Sequence, residues 1–256
     1  MKTIMGREVL DTLDELVDPR WTAVIVVDVQ NDFCHVDGHF AKFGKDVARM
    51  APAVKKMVDF VTKAQALGMR TIFLRQASLP DARMDSPAWL RFKTRDGKAP
   101  DYTKPGTWGY EFVDGLTVQK GDWVVEKFRP DGFVGTNLDH ILRTQGIQSV
   151  IILGTVTEGC VESTVRSASY HDYYVVVLED AVATPALLNE RCPAFAARHF
   201  GLGFFAAPRV VQRRNLGLVL AAACAAQADA QREGATGGRG PHARARSRCP
   251  HGHAPR

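Results

Sequence analysis

Unbroken apolar runs that alternate with amphipathic stretches constrain the fold of this chain more than any other feature. The run at 23–27 consists of β-branched and small apolar residues, which suits a strand buried on both faces. Residues 46–67 place apolar side chains at helical spacing, and Gly68 follows as a residue that commonly ends a helix. Later strands are predicted at 70–74, 123–128, 149–153 and 174–178, with helices at 136–144 and 161–171. This order predicts parallel βαβ units in an α/β fold, a three-layer α/β/α sandwich.

Length and composition fit one main domain followed by a segment of different character. The 256 residues are 45% hydrophobic, which is enough for one sizeable core. We predict an N-terminal extension at 1–20, the folded domain at 21–212 and an Ala/Arg/Gly-rich tail at 213–256, with disorder over at least 234–256. Residues 230–256 hold six arginines and one glutamate, so their net charge (6 − 1 = +5) equals that of the whole chain. The body is therefore near neutral, which does not favour a nucleic-acid-binding protein.

The cysteines and the hydropathy pattern predict a soluble, cytoplasmic protein with free thiols. The five cysteines are scattered, with no CxxC pair and no spacing typical of a zinc site. No apolar stretch approaches the roughly 20 residues of a membrane-spanning helix. Residues 1–15 lack the apolar core of a secretory signal. We therefore predict neither a membrane nor a nucleic-acid partner.

A long irregular segment at 76–120 interrupts the alternation of strands and helices. It contains four prolines, several glycines and six aromatic residues. A long loop inside a compact domain is usually either functional or disordered, and the aromatic content favours an ordered segment over a site. We expect a short helix near Trp89.

Three residue types that a thiol hydrolase needs stand at the ends of predicted strands. Asp28 follows the first strand, Lys127 closes the third, and Cys160 follows the fourth after a glycine-containing turn. Open parallel sheets bind ligands at the carboxyl ends of their strands, so these side chains are expected to converge. A cysteine that opens a helix is a candidate nucleophile, because the helix N-terminus favours the thiolate.

Each of these residues also has a purely structural interpretation. Cys160 would then be a buried, inert thiol, and Lys127 a lysine that reaches from a strand end to solvent. Asp28 would cap the turn that follows it. Asp32, a second carboxylate four residues later, is interpreted as a loop or capping residue.

The residues around these positions resemble the isochorismatase-like cysteine hydrolases. The matching elements lie in the family's order over roughly residues 20–185. They are Val-Val-Asp-Val-Gln-Asn-Asp-Phe at 26–33, Lys127 with Phe133 and Thr-Asn-Leu at 136–138, Gly-Thr-Val-Thr-Glu-Gly-Cys-Val at 154–161, and Leu-Glu-Asp-Ala at 178–181. The D-x-Q-N-D-F and G-x-x-T-x-x-C-V elements are highly specific in combination.

The resemblance implies a mostly parallel six-stranded sheet and a catalytic triad of Asp28, Lys127 and Cys160. It also implies a cis peptide bond between Thr155 and Val156, with the N–H groups of Val156 and Cys160 forming an oxyanion hole. The implied reaction is hydrolysis of a C–N bond in a small amide, carbamoyl or ureido substrate. It would run through a thioester, release ammonia or an amine and need no cofactor.

Two departures from family patterns narrow the expected substrate. Nicotinamidases of the family carry an Asp-x-His pair and a further histidine for a metal, but residues 75–82 contain no histidine. We therefore expect no metal and disfavour nicotinamidase activity. Cys160 argues against the isochorismate hydrolases of this fold, which can lack the cysteine. The aromatic residues expected to line an apolar substrate pocket are Phe33, Trp89, Trp108 and Phe133.

Two alternatives stay open for the sequence alone. One is a vinyl-ether hydrolase of the isochorismate type, which would need no thiol. The other is a non-catalytic, thiol-bearing protein of the same fold. The resemblance also allows a homo-oligomer, in addition to a small-molecule amide or ureido substrate as the binding partner.

Overall fold

A parallel β-sheet lies at the centre of the computed structural model, which describes residues 1–94, 102–185, 211–214 and 216–236. The strands are β1 (Lys2–Ile4), β2 (Arg7–Val9), β3 (Thr22–Val27), β4 (Arg70–Gln76), β5 (Trp123–Lys127), β6 (Ser149–Thr155), β7 (Tyr174–Ala183) and β8 (Val211–Arg214). The helices are α1 (Leu13–Leu16), α2 (Asn31–Cys34), α3 (His39–Lys42), α4 (Ala51–Ala66), α5 (Pro87–Lys93), α6 (Leu138–Thr144), α7 (Glu162–Tyr170) and α8 (Leu216–Thr236). Short 3-10 turns lie at Ala48–Met50, Pro80–Ala82 and Trp108–Tyr110, and a π-helical turn lies at Thr157–Val161.

All strand pairs of the central sheet are parallel, in the order β5-β4-β3-β6-β7-β8. Five strands, β3 to β7, form the body of this sheet, where the family resemblance implied six. The four-residue β8 extends the edge of the sheet by pairing with residues 175–178 of β7. β1 and β2 form a separate antiparallel pair.

Alternate side chains of β3 enter two separate apolar cores. Val24 and Val26 pack into one core together with buried residues of α4 and α8. Ala23, Ile25 and Val27 pack into the other core, together with buried residues of α6 and α7. Because helices cover both faces, β3 has no polar face, and this explains its unbroken apolar run. The predicted α/β class and the three-layer α/β/α arrangement are confirmed.

Helix α4 illustrates how local sequence sets one of these layers. The prediction placed a helix at 46–67, but α4 begins at Ala51, because Pro52 fits the first helical turn and a 3-10 turn precedes it. Gly68 follows the helix with a φ of 70°, the conformation typical of a residue that ends a helix. The buried side chains of α4 recur at helical spacing and are Met57, Phe60, Val61 and Ala64.

The stretch that the sequence predicts as a tail from residue 213 contains helix α8. Its side chains Val219, Ala222 and Ala223 are buried in the same core as α4. Gln227 Nε2 also donates to the backbone oxygen of Leu67 at 3.0 Å. The structure thus joins 216–236 to the folded domain, whereas the disorder predicted for 234–256 falls, from residue 237 on, outside the described residues. No helix within the described ranges is both long and apolar enough to cross a membrane.

Candidate active site

Four neighbouring strands bring polar side chains to one edge of the sheet. Asp28 directly follows β3, and Gln76, Lys127 and Thr155 are the last residues of β4, β5 and β6. The order β5-β4-β3-β6 sets these positions side by side, with Gln76 paired in register to Lys127. This carboxyl edge is where open parallel sheets form their ligand sites.

A buried ion pair joins Asp28 to Lys127. Lys127 Nζ lies 2.7 Å from Asp28 Oδ2, and both side chains are 0% exposed. The same ammonium donates to Gln76 Oε1 at 3.0 Å and to the backbone oxygen of Arg129 at 3.1 Å. Three oxygen atoms therefore surround the ammonium. The purely structural interpretation required the Lys127 side chain to reach solvent. The structure excludes this interpretation, because the side chain is fully buried.

The backbone of Asp28 has a left-handed conformation, with a φ of 50°. This conformation costs a non-glycine residue on the order of 1 kcal/mol or more. Two hydrogen bonds to neighbouring strands offset the cost. The Asp28 N–H donates to the Leu74 oxygen at 3.1 Å, and the Asp28 oxygen accepts from Thr155 Oγ1 at 2.8 Å. The chain is thereby held in the turn that places the carboxylate beside Lys127.

Cys160 lies in the π-helical turn that links β6 to α7. Its thiol lies within electrostatic reach of both members of the ion pair, because the charge of Lys127 lowers the pKa of Cys160 and that of Asp28 raises it. The Cys160 backbone oxygen accepts from Thr164 Oγ1 at 2.7 Å, and that hydroxyl accepts from the Gly132 N–H at 3.0 Å. The structure thus brings the three residues predicted to be catalytic to one place.

Burial favours the thiol form of Cys160. It raises the pKa of Cys160 to about 12, and the positive charge of Lys127 opposes this only in part. The helix N-terminus favours the thiolate, whereas burial favours the thiol. The thiol has to give its proton to a base when it reacts.

The carboxylate and the ammonium respond to burial in different ways. Burial raises the pKa of Asp28, and the Lys127 charge opposes this shift. For Lys127, burial alone lowers the pKa, but the interactions with Asp28 and Cys160 outweigh burial and raise the pKa. A carboxylate with a raised pKa is a better proton acceptor than an exposed one, and Lys127 stays charged beside it.

The turn before Cys160 contains a cis peptide bond between Thr155 and Val156, at the position that the resemblance implied. Gly154 precedes it with a φ of 129°. A Cβ added to Gly154 would lie 2.2 Å from the Val27 oxygen and 2.7 Å from the Val27 nitrogen. Only a glycine allows β6 to approach β3 this closely.

We expect Gly154→Ala to lower the free energy of unfolding by about 3 kcal/mol, because the backbone of β3 would have to move. Urea unfolding followed by circular dichroism measures this loss. Gly146→Ala is the matched control. Gly146 also has a positive φ, of 68°, but its added Cβ would meet nothing within 4 Å, so only about 1 kcal/mol should be lost. Equal losses in the two variants would contradict the close-approach argument.

A cavity of about 180 Å³ opens beside the Cys160 thiol. Its polar end is formed by Asp28, Gln76, Thr155 and Cys160. Its walls are mostly aromatic, and consist of Phe33, Phe40, Trp89, Phe92 and Tyr102 with Pro130 and Val156. Apolar walls with a few convergent polar groups are typical of a site for a small molecule. Within the described part of the chain, no cluster of three or more His, Cys, Asp or Glu side chains is placed to hold a metal ion.

The structure corrects two of the residues predicted to line this pocket. Phe33 lines the cavity, but Trp108 and Phe133 do not. Trp108 is half exposed and meets the His35 ring edge-on at 5.0 Å. Phe133 belongs to the core beneath α6 and α7, where its ring stacks on His171 at 4.8 Å. Both residues stand next to site motifs in the sequence. That position does not determine which layer of the fold each ring packs into.

Sequence reasoning missed other residues of the cavity. Gln76 could have been identified as a site residue, because it is a polar residue at a strand end. It was missed because the predicted strand stopped at residue 74. Trp89 lines the cavity as expected, whereas Phe40 and Tyr102 were not singled out. The Tyr102 ring packs 5.8 Å from that of Phe33. Because this contact joins two connections distant in sequence, no local pattern indicates it.

The described part of the 76–120 segment covers the site in an ordered way. The expected short helix near Trp89 is α5, and its first turn is capped by Ser86 Oγ, which accepts from the Trp89 N–H at 3.2 Å. Asp32 anchors this segment, because its carboxylate accepts a hydrogen bond from the Thr103 N–H at 2.6 Å. The same carboxylate also accepts from the His39 N–H at 3.1 Å. Asp32 therefore has the loop role that the sequence suggested.

Comparison with known proteins gives a consistent set of relatives. A family model described as an isochorismatase domain matches residues 22–195. The chain is similar to a ureidoacrylate amidohydrolase of Methylorubrum extorquens, with 34% identity over 185 residues that cover 68% of this chain and 75% of the relative. The ureidoacrylate amidohydrolase of Yersinia enterocolitica is 38% identical over 171 residues, 62% of this chain and 74% of the relative.

Solved structures share the fold. A cysteine hydrolase from Pseudomonas syringae superposes with a TM-score of 0.67 at 25% identity, over 82% of this chain and 96% of the neighbour. An N-carbamoylsarcosine amidase from Thermoplasma acidophilum gives a TM-score of 0.58 at 27% identity, over 77% of this chain and 96% of the neighbour. The shared architecture thus spans almost the whole length of both neighbours.

Proposed function

Because the chain belongs to the isochorismatase family, we propose that it is a cysteine-dependent hydrolase of a C–N bond in a small amide, carbamoyl or ureido substrate. The names of its relatives, ureidoacrylate amidohydrolase and N-carbamoylsarcosine amidase, support this substrate class. One observation carries the proposal. A thiol meets a buried carboxylate–ammonium pair at the polar end of a small cavity.

In the first half of the proposed reaction, Asp28 takes the proton of the Cys160 thiol. The thiolate attacks the substrate carbonyl carbon, and the electron pair of the C=O bond moves to oxygen. Lys127 stays protonated and stabilises the negative charge that passes between sulfur and carboxylate. A resting thiol is no obstacle to this step, because the proton has a short path to a base whose pKa is raised.

The tetrahedral intermediate then collapses to a thioester. The C–N bond breaks as Asp28 returns the proton to the leaving nitrogen, which departs as ammonia or an amine. Water attacks the thioester with Asp28 as the base again, and the thiol is released. We place the oxyanion at the N–H groups of Val156 and Cys160, in the turn that follows β6. Such donors are often worth ~3 kcal/mol in the transition state.

The proposal is tested by ammonium or amine release from a panel of small amides, N-carbamoyl amino acids and ureido acids. We expect turnover of at least one carbamoyl or ureido compound, and an acyl adduct on the Cys160 peptide after an acid quench. Alkylation of Cys160 by iodoacetamide should stop the release, because the nucleophile is blocked.

Two outcomes would contradict the proposal and point to its alternatives. Hydrolysis of isochorismate that survives full alkylation of Cys160 would indicate a thiol-independent vinyl-ether hydrolase. An alkylatable Cys160 without turnover of any compound in the panel would indicate a non-catalytic thiol-bearing protein.

A further inference from the structure

The D-x-Q-N-D-F element contains a buried glutamine that the proposed reaction does not use. Gln30 is 0% exposed, and its side chain holds the backbone of Gln76 at two points. Its Oε1 accepts from the Gln76 N–H at 2.8 Å, and its Nε2 donates to the Gln76 oxygen at 3.0 Å. The same Nε2 also donates to the Tyr110 oxygen at 2.8 Å. The last residue of β4 is therefore fixed by a side chain from the connection that follows β3.

The Gln76 side chain connects this fixed backbone to the Lys127 ammonium. Gln76 is 5% exposed, and its Oε1 accepts from Lys127 Nζ at 3.0 Å. Its Nε2 donates to the Ala77 oxygen at 3.2 Å, so each end of the amide meets a group of the complementary type. Besides Asp28, Gln76 is the only side chain within the described residues whose oxygen contacts this ammonium.

A single ion pair does not define where a lysine ammonium lies. The Lys127 side chain is flexible, and its ammonium could stay close to one Asp28 oxygen in several orientations. Contacts from three parts of the fold remove this freedom, since Asp28 follows β3, Gln76 ends β4 and the Arg129 oxygen lies beyond β5. Of these groups, Gln76 is the uncharged side chain. It therefore fixes the ammonium without adding a negative charge beside the thiol.

We propose that Gln76 is a positioning residue that holds the Lys127 ammonium beside Asp28 and Cys160, and that Gln30 holds Gln76 in turn. The inference rests on the proposed function, because it concerns the group that stabilises the thiolate in the first step. The neutrality of the amide is part of this role. The thiol, Asp28 and Lys127 together have zero net charge before and after the proton moves from sulfur to carboxylate, and a neutral amide leaves this balance unchanged.

Gln76→Glu tests this role, because a protonated carboxyl group has nearly the shape of the amide and can make the same two contacts. The rate at which iodoacetamide alkylates Cys160 is measured by mass spectrometry of the Cys160 peptide, from about pH 5 to about pH 9. We expect the ratio of the variant's rate to the native rate to be about 1 at the acidic end. The ratio should fall at least about tenfold as the introduced carboxyl ionises, because its charge opposes the thiolate and competes for the ammonium.

The shape of this pH dependence distinguishes positioning from damage to the structure. The introduced carboxyl would share one ammonium with Asp28, so its pKa should lie above the ordinary value of about 4.3 for glutamate. The other titratable groups at this end of the cavity are Asp28, Lys127, Cys160 and Tyr102. They are present in both proteins, so their own ionisation largely cancels in the ratio. Burial raises the pKa of Tyr102, which therefore keeps its proton throughout.

Two further variants separate positioning from contact with the substrate. Gln76→Met removes the acceptor at nearly constant volume, and should lower kcat about tenfold while KM changes by less than about threefold. This test does not require Gln76→Glu to fold. Gln65→Met is the matched control, because Gln65 lies on α4, does not line the cavity, and donates to the Thr117 oxygen at 2.9 Å and to Asp122 Oδ2 at 2.7 Å. It should leave kcat, KM and the alkylation rate unchanged.

A rate ratio for Gln76→Glu that does not change with pH would overturn the inference. A raised KM with native kcat in Gln76→Met would also overturn it, since that pattern indicates contact with the substrate. Either result would leave the proposed hydrolase activity untouched. Conversely, a pH-dependent ratio in a chain that releases neither ammonia nor an amine would support the positioning role of Gln76 and contradict the proposed function, because alkylation needs no turnover.

Discussion

Replacement of Cys160 by alanine is expected to lower kcat/KM for C–N hydrolysis by at least about 10⁴-fold. Without the thiol, the substrate carbonyl has no nucleophile within the site, and the proton that Asp28 would accept is absent. The cavity and the buried ion pair would stay in place, so substrate binding should change much less. Steady-state release of ammonium from the best compound of the panel measures the loss, and equilibrium dialysis measures binding.

Cys34→Ala is the matched control for this variant. Cys34 is another buried thiol near the site, with Sγ 3.9 Å from Thr155 Oγ1, and burial raises its pKa to about 12 as well. It does not line the cavity, so its removal should leave most of the activity. Cys160→Ser should be as inactive as Cys160→Ala, since a buried hydroxyl is a far weaker nucleophile. Turnover that persists in Cys160→Ala, or that is lost in Cys34→Ala alone, would refute the assignment.

Lys127→Met is expected to lower the free energy of unfolding by about 3–5 kcal/mol at neutral pH and to abolish activity. The variant keeps most of the length of the side chain but leaves the Asp28 carboxylate, which is 0% exposed, without its counter-charge. Urea unfolding at pH 7 and the ammonium assay measure the two effects.

The loss of stability in Lys127→Met should depend on pH in a defined direction. Burial raises the pKa of Asp28, and the Lys127 charge opposes this shift, so the variant has a still higher pKa at Asp28. A folded-state pKa above the unfolded value of about 3.9 makes the folded state bind its proton more tightly. The deficit should therefore be small near pH 4, where Asp28 is protonated and neutral, and should grow as the pH rises through the folded pKa. A deficit that is constant between about pH 4 and pH 8 would contradict this account.

The double variant Asp28→Asn with Lys127→Met separates stability from catalysis. It removes both charges at nearly constant volume, so it should recover most of the stability lost in Lys127→Met. It should stay inactive, because neither a base nor a cation remains. Recovery of activity in the double variant would show that the pair is only structural.

The polar end of the site could be predicted from the sequence because its signals are local. Asp28 interrupts a β-branched run, Lys127 ends another, and Cys160 follows a glycine turn. In a parallel sheet, such positions converge by topology alone. What the sequence could not show is the state of the thiol. The helix terminus suggested a thiolate, but burial, which depends on the whole fold, raises the pKa of Cys160 to about 12.

The residues of the cavity wall were harder to predict, because an aromatic residue next to a motif can pack into any layer of the fold. Phe33 turns into the cavity, whereas Phe133 turns into the core of α6 and α7. The segment after residue 213 shows a similar limit. Its alanine-rich composition resembles a tail, yet Val219 and Ala223 fill space against α4 that only the folded domain provides.

The chemistry and the recognition surface of this site come from different parts of the chain. Asp28, Lys127 and Cys160 are fastened to ends of the central sheet, whereas much of the cavity wall, including Trp89 and Tyr102, is supplied by the connection between β4 and β5. The connection between β4 and β5 can therefore be lengthened, shortened or exchanged while Asp28, Lys127 and Cys160 keep their spacing. A change confined to this connection is therefore expected to alter specificity, and grafting it between relatives is a direct way to retarget the enzyme.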